Sequence, residues 1–185
     1  MRGFYIGKEG ADQYDLLWRD TTQYAPGINW VYPLVGKLCG GDKKGLDVGG
    51  SGYADGKIPI PGATIVDPRK AGSGNAYDLS MYEDEDYDFV LFSHVLEHLD
   101  DPEKAMMEAY RKLSFGGLVV CYSPHPDHIE WNPKKNPPAA AGHLWQPTST
   151  SMGRLLIMAG YSVIYSEVNQ DKFGGFLTVG KKQAP

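Results

Sequence analysis

Hydrophobic positions fall into short dense runs separated by polar, glycine-rich segments. Gly45–Val48, Ala63–Val66, Tyr87–Ser93 and Leu118–Ser123 are such runs, rich in Val, Leu, Ile and aromatic residues. Their length and density predict strands, and Tyr87–Ser93 is apolar enough to be buried on both faces of a sheet. Pro102–Leu113 has a different period: Ala105, Met106, Ala109, Tyr110 and Leu113 recur at helical spacing. Asp100 or Asp101 is a suitable N-cap for this helix, and Pro102 suits its first position. Gly116-Gly117 is expected to stop it. A second helix is predicted over Thr148–Ala159, capped by Thr148 or Ser149 and ended by Gly160. Ser162–Val168 and Phe176–Gly180 read as two closing strands joined by a polar turn containing Gly174-Gly175. Strands alternating with helices predict an α/β fold. The expected form is a Rossmann-like, doubly wound, mostly parallel sheet of about six or seven strands with an antiparallel C-terminal hairpin.

Residues 1–44 lack this order. They are aromatic-rich and interrupted by Pro26 and Pro33, with short helices expected at Asp12–Tyr24 and Asn29–Leu38. They are read as an N-terminal cap on a compact domain spanning 45–185. With 185 residues, 42% hydrophobic and 22% charged, the chain has the size and composition of one globular domain. Its net charge of −5 argues against a broad footprint for nucleic acid or an anionic membrane; Lys134 and Lys135 form only a small basic pair. No apolar run approaches the roughly 18 residues needed to span a bilayer, and Met1–Gly10 lacks the apolar core of a secretory leader. Cys39 and Cys121 have no Cys-x-x-Cys pairing, and Cys121 sits in an apolar run as a buried thiol would. A cytoplasmic location is expected. Oligomeric state has no readable code.

Candidate chemistry begins where the first strand ends, in Gly45-Leu46-Asp47-Val48-Gly49-Gly50-Ser51-Gly52. The glycines permit a tight turn and close approach of a ligand. A phosphate cradle would place positive charge and bare N–H groups there. Asp47 instead suits a ligand carrying an amine or a positive charge. No Gly-Lys-Ser/Thr follows, and the third glycine of a dinucleotide fingerprint would fall on Asp55. Read alone, the segment is equally an ordinary strand-to-loop turn. Ligands of open parallel sheets bind beyond the carboxyl ends of the strands. Asp47, Asp67, Ser93 and Ser123 end predicted strands and should share one rim. Asp67 either accepts hydrogen bonds from ribose hydroxyls or opens an Asp-Pro turn. Asp78 either meets an adenine amino group, with Leu79 against the ring, or caps a turn.

The run from Tyr87 to Pro102, Tyr-Asp-Phe-Val-Leu-Phe-Ser-His-Val-Leu-Glu-His-Leu-Asp-Asp-Pro, resembles the post-strand motif of class I S-adenosylmethionine-dependent methyltransferases of the small-molecule type called type 11. Arg111-Lys112-Leu113-Ser114-Phe115-Gly116-Gly117 is similar to that family's Arg-x-Leu-x-Pro-Gly-Gly, with Phe115 in place of proline. The resemblance covers about residues 45–180. It implies methyl transfer from S-adenosylmethionine, leaving S-adenosylhomocysteine, to a small-molecule acceptor. It implies that Asp47, Gly49, Gly50, Ser51 and Gly52 hold the methionine part of the cofactor and that Asp67 binds the ribose. Asp78 and Leu79 would flank the adenine, and Ser93 and His94 would face cofactor and acceptor. One departure stands out: Tyr53–Gly62 holds two prolines and two glycines where the fold normally has a crossover helix.

Histidines supply the remaining candidates. His125 follows Ser123-Pro124 at a strand end and is the expected general base, with His94 as a second catalytic candidate. His128 and His143 lie in the same long loop, either solvated or facing the acceptor, and Trp145 either covers the site or joins the core. His94-Val95-Leu96-Glu97-His98 also matches the His-x-x-Glu-His of zinc peptidases. That reading needs the motif on a helix, whereas the next strong helix begins at Pro102, so no metal ligands are assigned. The Asn/Asp-Pro-Pro-Tyr tetrad of nucleic-acid amino methylation is absent after the central strand. The competing functional readings are a catalytically inactive methyltransferase-like binding module and the zinc peptidase.

Overall fold

A computed structural model describes residues 43–49, 62–132, 134–137, 142–171 and 174–185. The cap helices, Cys39, Gly50, Ser51, Gly52 and nearly all of the Tyr53–Gly62 link lie outside the described residues. Six strands form one sheet: β1 (Gly45–Val48), β2 (Ala63–Val66), β3 (Tyr87–Ser93), β4 (Leu113–Pro124), β5 (Tyr161–Ser166) and β6 (Gly175–Lys182). Their order is β2-β1-β3-β4-β6-β5. The pairs β1–β2, β1–β3 and β3–β4 are parallel, while β4–β6 and β5–β6 are antiparallel. The expected α/β sheet with an antiparallel C-terminal end is therefore present. Its second closing strand inserts between β4 and β5. The chain leaves β1 outward to β2 and returns on the other side to β3. This places the switch in strand order, where such sheets bind ligands, between β1 and β3.

The central strand explains the order. Phe89, Val90 and Leu91 are fully buried, so β3 needs cover on both faces and takes an interior position. Helix α1 (Pro102–Lys112) packs Ala105, Met106 and Ala109, none of them exposed, into the core. Burying a side chain such as Met106 contributes about 1.5–3 kcal/mol. Its cap is Asp101, whose carboxylate accepts the Lys104 N–H at 3.0 Å. Helix α2 (Ser149–Met158) starts at Thr148, which exchanges hydrogen bonds with Ser151 in a capping box. The two helices pack on each other and on the same side of the sheet.

One expectation is corrected. Gly116-Gly117 does not terminate α1: the helix ends at Lys112, and β4 begins at Leu113 and runs through the glycine pair. Gly116 takes φ +86°, and the β3–β4 register shifts between Tyr87 and Phe89. The pair thus accommodates an irregularity within an extended segment. Cys121 is a free, buried thiol, its pKa pushed up by burial. Among the described residues, no helix is long and apolar enough to cross a membrane.

Candidate active site

Register brings the strand-end residues together. Val66, Val48, Phe92 and Cys121 pair in one row across β2, β1, β3 and β4. One step further along lie Asp67, Gly49, Ser93 and Tyr122, with the Gly49 N–H donating to Val66 O at 2.8 Å. Gly49 adopts φ +85°, and a Cβ there would come within 2.4 Å of a Val95 methyl. The turn after β1 therefore presses against the chain leaving β3, an approach that only glycine allows. Asp47 sits deeper, 1% exposed. Burial raises its pKa to about 7, because a charged carboxylate is disfavoured away from water.

Asp67 is held in place. Its Oδ1 accepts from the backbone N–H and the Nε of Arg69, at 3.0 and 3.2 Å. Its own N–H donates to Ser73 Oγ at 2.8 Å. Ser93 closes β3, and its buried Oγ has no hydrogen-bond partner among the described residues. Ser123 is buried in β4. The structure separates the predicted adenine pair. Asp78 is on an exposed turn, where Ser80 N–H hydrogen-bonds to it and holds its carboxyl below the usual range. Leu79 is fully buried in the core, its N–H donated to Glu108.

His94 follows β3 at φ +51°, a conformation uncommon for any residue with a Cβ and frequently tied to function. Its backbone N–H donates to Tyr122 O at 2.9 Å. Its ring lies edge-on to Tyr122 and against Trp131, with centroids 5.2 and 5.3 Å away. Its Nδ1 is 3.3 Å from Glu97 Oε1. Glu97 belongs to a 3-10 turn, Leu96–His98, and is 0% exposed. That turn is not the helix a His-x-x-Glu-His metallopeptidase motif requires. The loop before α2 folds back over it. Leu144 N–H donates to Glu97 O, and Trp145 Nε1 donates to Leu96 O, each at 2.7 Å. This return stacks His143 on Trp131 with 26° between ring planes. Burial holds the His143 pKa below its ordinary value, while Glu97 pulls the other way.

His125 is differently placed. Its Nδ1 accepts the Asp127 N–H at 3.1 Å, so Nε2 carries the proton, which it donates to Val168 O at 3.1 Å. Both ring nitrogens are engaged with backbone in this conformation. Sequence reasoning met Glu97 only in the His-x-x-Glu-His alternative and gave no role to Trp131. The available signal was an acidic residue placed among apolar ones directly after a buried strand.

The chain matches the methyltransferase-domain family across residues 31–166. It belongs to that family. Two solved structures are similar over nearly the whole chain. One is a Thermotoga maritima S-adenosylmethionine-dependent methyltransferase described as a possible histamine N-methyltransferase. It shares 19% identity with this chain at a TM-score of 0.64, covering 95% of this chain and 97% of that one. The other is the Burkholderia thailandensis 1,6-didemethyltoxoflavin-N1-methyltransferase, with 1,6-didemethyltoxoflavin and S-adenosylhomocysteine bound. It shares 17% identity at a TM-score of 0.62, covering 95% and 85%. No curated protein matches the chain by sequence. At these identities the structures establish the fold. With the family they make the chain a class I S-adenosylmethionine-dependent methyltransferase. The rim suits that cofactor: among the described residues it offers a hydroxyl lacking a partner at Ser93, a carboxylate at Asp67, and at Gly49 a backbone turn packed closely against Val95 without a side chain of its own.

Proposed function

We propose that this methyltransferase acts on a ring nitrogen or amine of a small, flat acceptor, with His94 as general base and Glu97 as its positioning residue. The observation that carries this reading is the buried Glu97 carboxylate 3.3 Å from His94 Nδ1. A carboxylate this close to an imidazole nitrogen favours a proton on that nitrogen by electrostatic attraction, without an aligned hydrogen bond, which leaves Nε2 to accept one. Trp131 and His143, stacked on each other, and the Tyr122 ring supply flat aromatic surface around His94, and such surface suits a planar acceptor. Both structural neighbours are described as N-methyltransferases, one only as possible, which supports nitrogen as the accepting atom.

Asp47, Gly49, Asp67 and Ser93 would hold the cofactor, which when bound supplies an electrophilic methyl group on a sulfonium. The chain's own contributions are positioning, exclusion of water by the Trp131 ring packed on His94, and acceptance of the acceptor's proton at His94 Nε2. His125, with both nitrogens engaged, is given no proton-transfer role in this reading.

The test is S-adenosylhomocysteine formation with a panel of small aromatic amines and nitrogen heterocycles. His94→Asn should lower kcat on any accepted substrate by roughly 100- to 10,000-fold, with cofactor affinity by calorimetry unchanged. Undiminished turnover in His94→Asn would remove the base. Turnover only on oxygen acceptors would remove the nitrogen assignment.

A further inference from the structure

We propose that Glu97, His98 and His143 form a binding site for a divalent first-row transition metal of the zinc type. One ligand atom from each of the three lies within 4.8 Å of the other two, so small side-chain rotations bring all three to bonding distance of a common ion. Two imidazoles and one carboxylate are the ligand chemistry of zinc and its neighbours rather than of magnesium, which prefers oxygen and its own water shell.

The carboxylate supplies the independent observation. Glu97 is 0% exposed, and among the described residues neither of its oxygens has a hydrogen-bond partner. Oε1 faces His94 Nδ1 at 3.3 Å, off line for a hydrogen bond, and Oε2 faces no partner. A buried carboxylate in that condition is costly unless a cation meets it. His94 Nδ1 faces one oxygen, and the other is left for a cation.

The surroundings are those of a metal site as well. His98 Nδ1 lies 2.9 Å from Gly142 O. A carbonyl only accepts, so Nδ1 carries the hydrogen and Nε2 keeps the lone pair. A backbone carbonyl fixing the tautomer in this way is the usual outer contact of a ligating histidine. His143 reaches the cluster because Leu144 and Trp145 anchor its segment to the turn that carries Glu97 and His98. The His98 and His143 rings sit with centroids 4.8 Å apart. Three protein ligands leave a coordination position for water or for a donor atom of the acceptor.

The experiment uses untagged full-length protein, stripped with chelator and then titrated separately with Zn2+, Co2+ and Mg2+. Calorimetry, elemental analysis after dialysis, and the visible absorption of Co2+ are the readouts. One equivalent of Zn2+ should be retained, Co2+ should acquire the visible bands of a nitrogen- and oxygen-ligated ion, and Mg2+ should not displace either. His98→Ala, His143→Ala and Glu97→Gln should each weaken Zn2+ binding roughly 10- to 100-fold or more, while His125→Ala leaves it unchanged. Zn2+ should raise the thermal midpoint of the wild type and not that of His143→Ala. If Glu97→Gln does not fold, the His143→Ala result decides, because that residue is on a half-exposed loop. The site is refuted by no retained metal, or by His98→Ala and His143→Ala variants that bind Zn2+ as tightly as the wild type. Neither result depends on methyl transfer, so the site and the base stand or fall separately.

Discussion

The rim above β1–β3 is made of strand ends, whereas the cluster beyond β3 and β4 is made of a 3-10 turn and loops, and their polar groups come together differently. On the β1–β3 side, Asp67, Gly49 and Ser93 are neighbours because the parallel register puts successive strand ends in one row. On the other side, Glu97, His98, His143 and Trp131 are neighbours because a distant loop folds back onto a 3-10 turn, held by Leu144 N–H on Glu97 O. The first arrangement is rigid and is fixed by the sheet. The second depends on a few loop hydrogen bonds, and loops of this kind vary readily on a constant scaffold. A fold that must hold one cofactor while serving many acceptors gains from that division. Separating the two regions by substitution is the sharpest test of it.

The largest expected effect is at Asp47. Its folded-state pKa, about 7, lies above the ordinary 3.8. Between these values the folded chain keeps a proton that the unfolded chain has released. The stabilisation is complete below about pH 4, falls as pH rises, and is lost above about pH 7, at most about 4 kcal/mol in all. Asp47→Asn does not titrate. The cofactor-free variant should therefore melt above the wild type at pH 8, with the gap closing towards pH 5. Thermal midpoints across that range test it; a gap independent of pH would mean the carboxylate is not destabilised by burial.

Next in size is Asp67→Ala. A hydrogen-bonded charged group is worth about 1.5–3 kcal/mol, so S-adenosylmethionine affinity should fall about 10- to 100-fold. At saturating cofactor, kcat should stay near the wild-type value. His94→Asn should show the opposite pattern. If both variants lose affinity and kcat together, the two regions are one coupled unit and the division is wrong.

Much of the β1–β3 side could be read from the chain. β1, β2 and β3 have the anticipated bounds because short, mostly apolar runs have few alternatives, and Asp101 and Thr148 cap their helices as their side chains suggest. Asp67, Ser93 and His94 were placed at the rim because position at a strand end is a local property. Three things were not legible. The insertion of β6 between β4 and β5 is a choice of partner, and both strands look alike in sequence. Leu79 was assigned to a ligand, but its full burial shows that an apolar residue beside an aspartate reads the same whether it lines a pocket or fills the core. Glu97 and His143 meet only through the loop return, and His125 loses its free nitrogens to Asp127 and Val168, contacts that no spacing rule encodes.

The smallest effect gives the cleanest contrast between regions. Gly49 and Gly116 share nearly the same φ, +85° and +86°. Changing either to alanine imposes the strain of a left-handed residue, about 1–2 kcal/mol. Only at Gly49 does the new methyl also meet a wall, 2.4 Å from Val95; at Gly116 the nearest atom is the end of the Lys181 side chain at 3.9 Å. Gly49→Ala should therefore be the less stable variant by a further 1 kcal/mol or more, about the cost of overpacking a close contact. It should also weaken S-adenosylmethionine binding, which Gly116→Ala should leave alone. Denaturant midpoints and calorimetric titration of the pair decide it. Equal stability losses would mean that Val95 yields easily and that the turn after β1 is not pressed against the chain leaving β3. Equal loss of affinity would mean that strain anywhere in the sheet is felt at the rim, and the separation between a sheet-fixed cofactor side and a loop-built acceptor side would not hold.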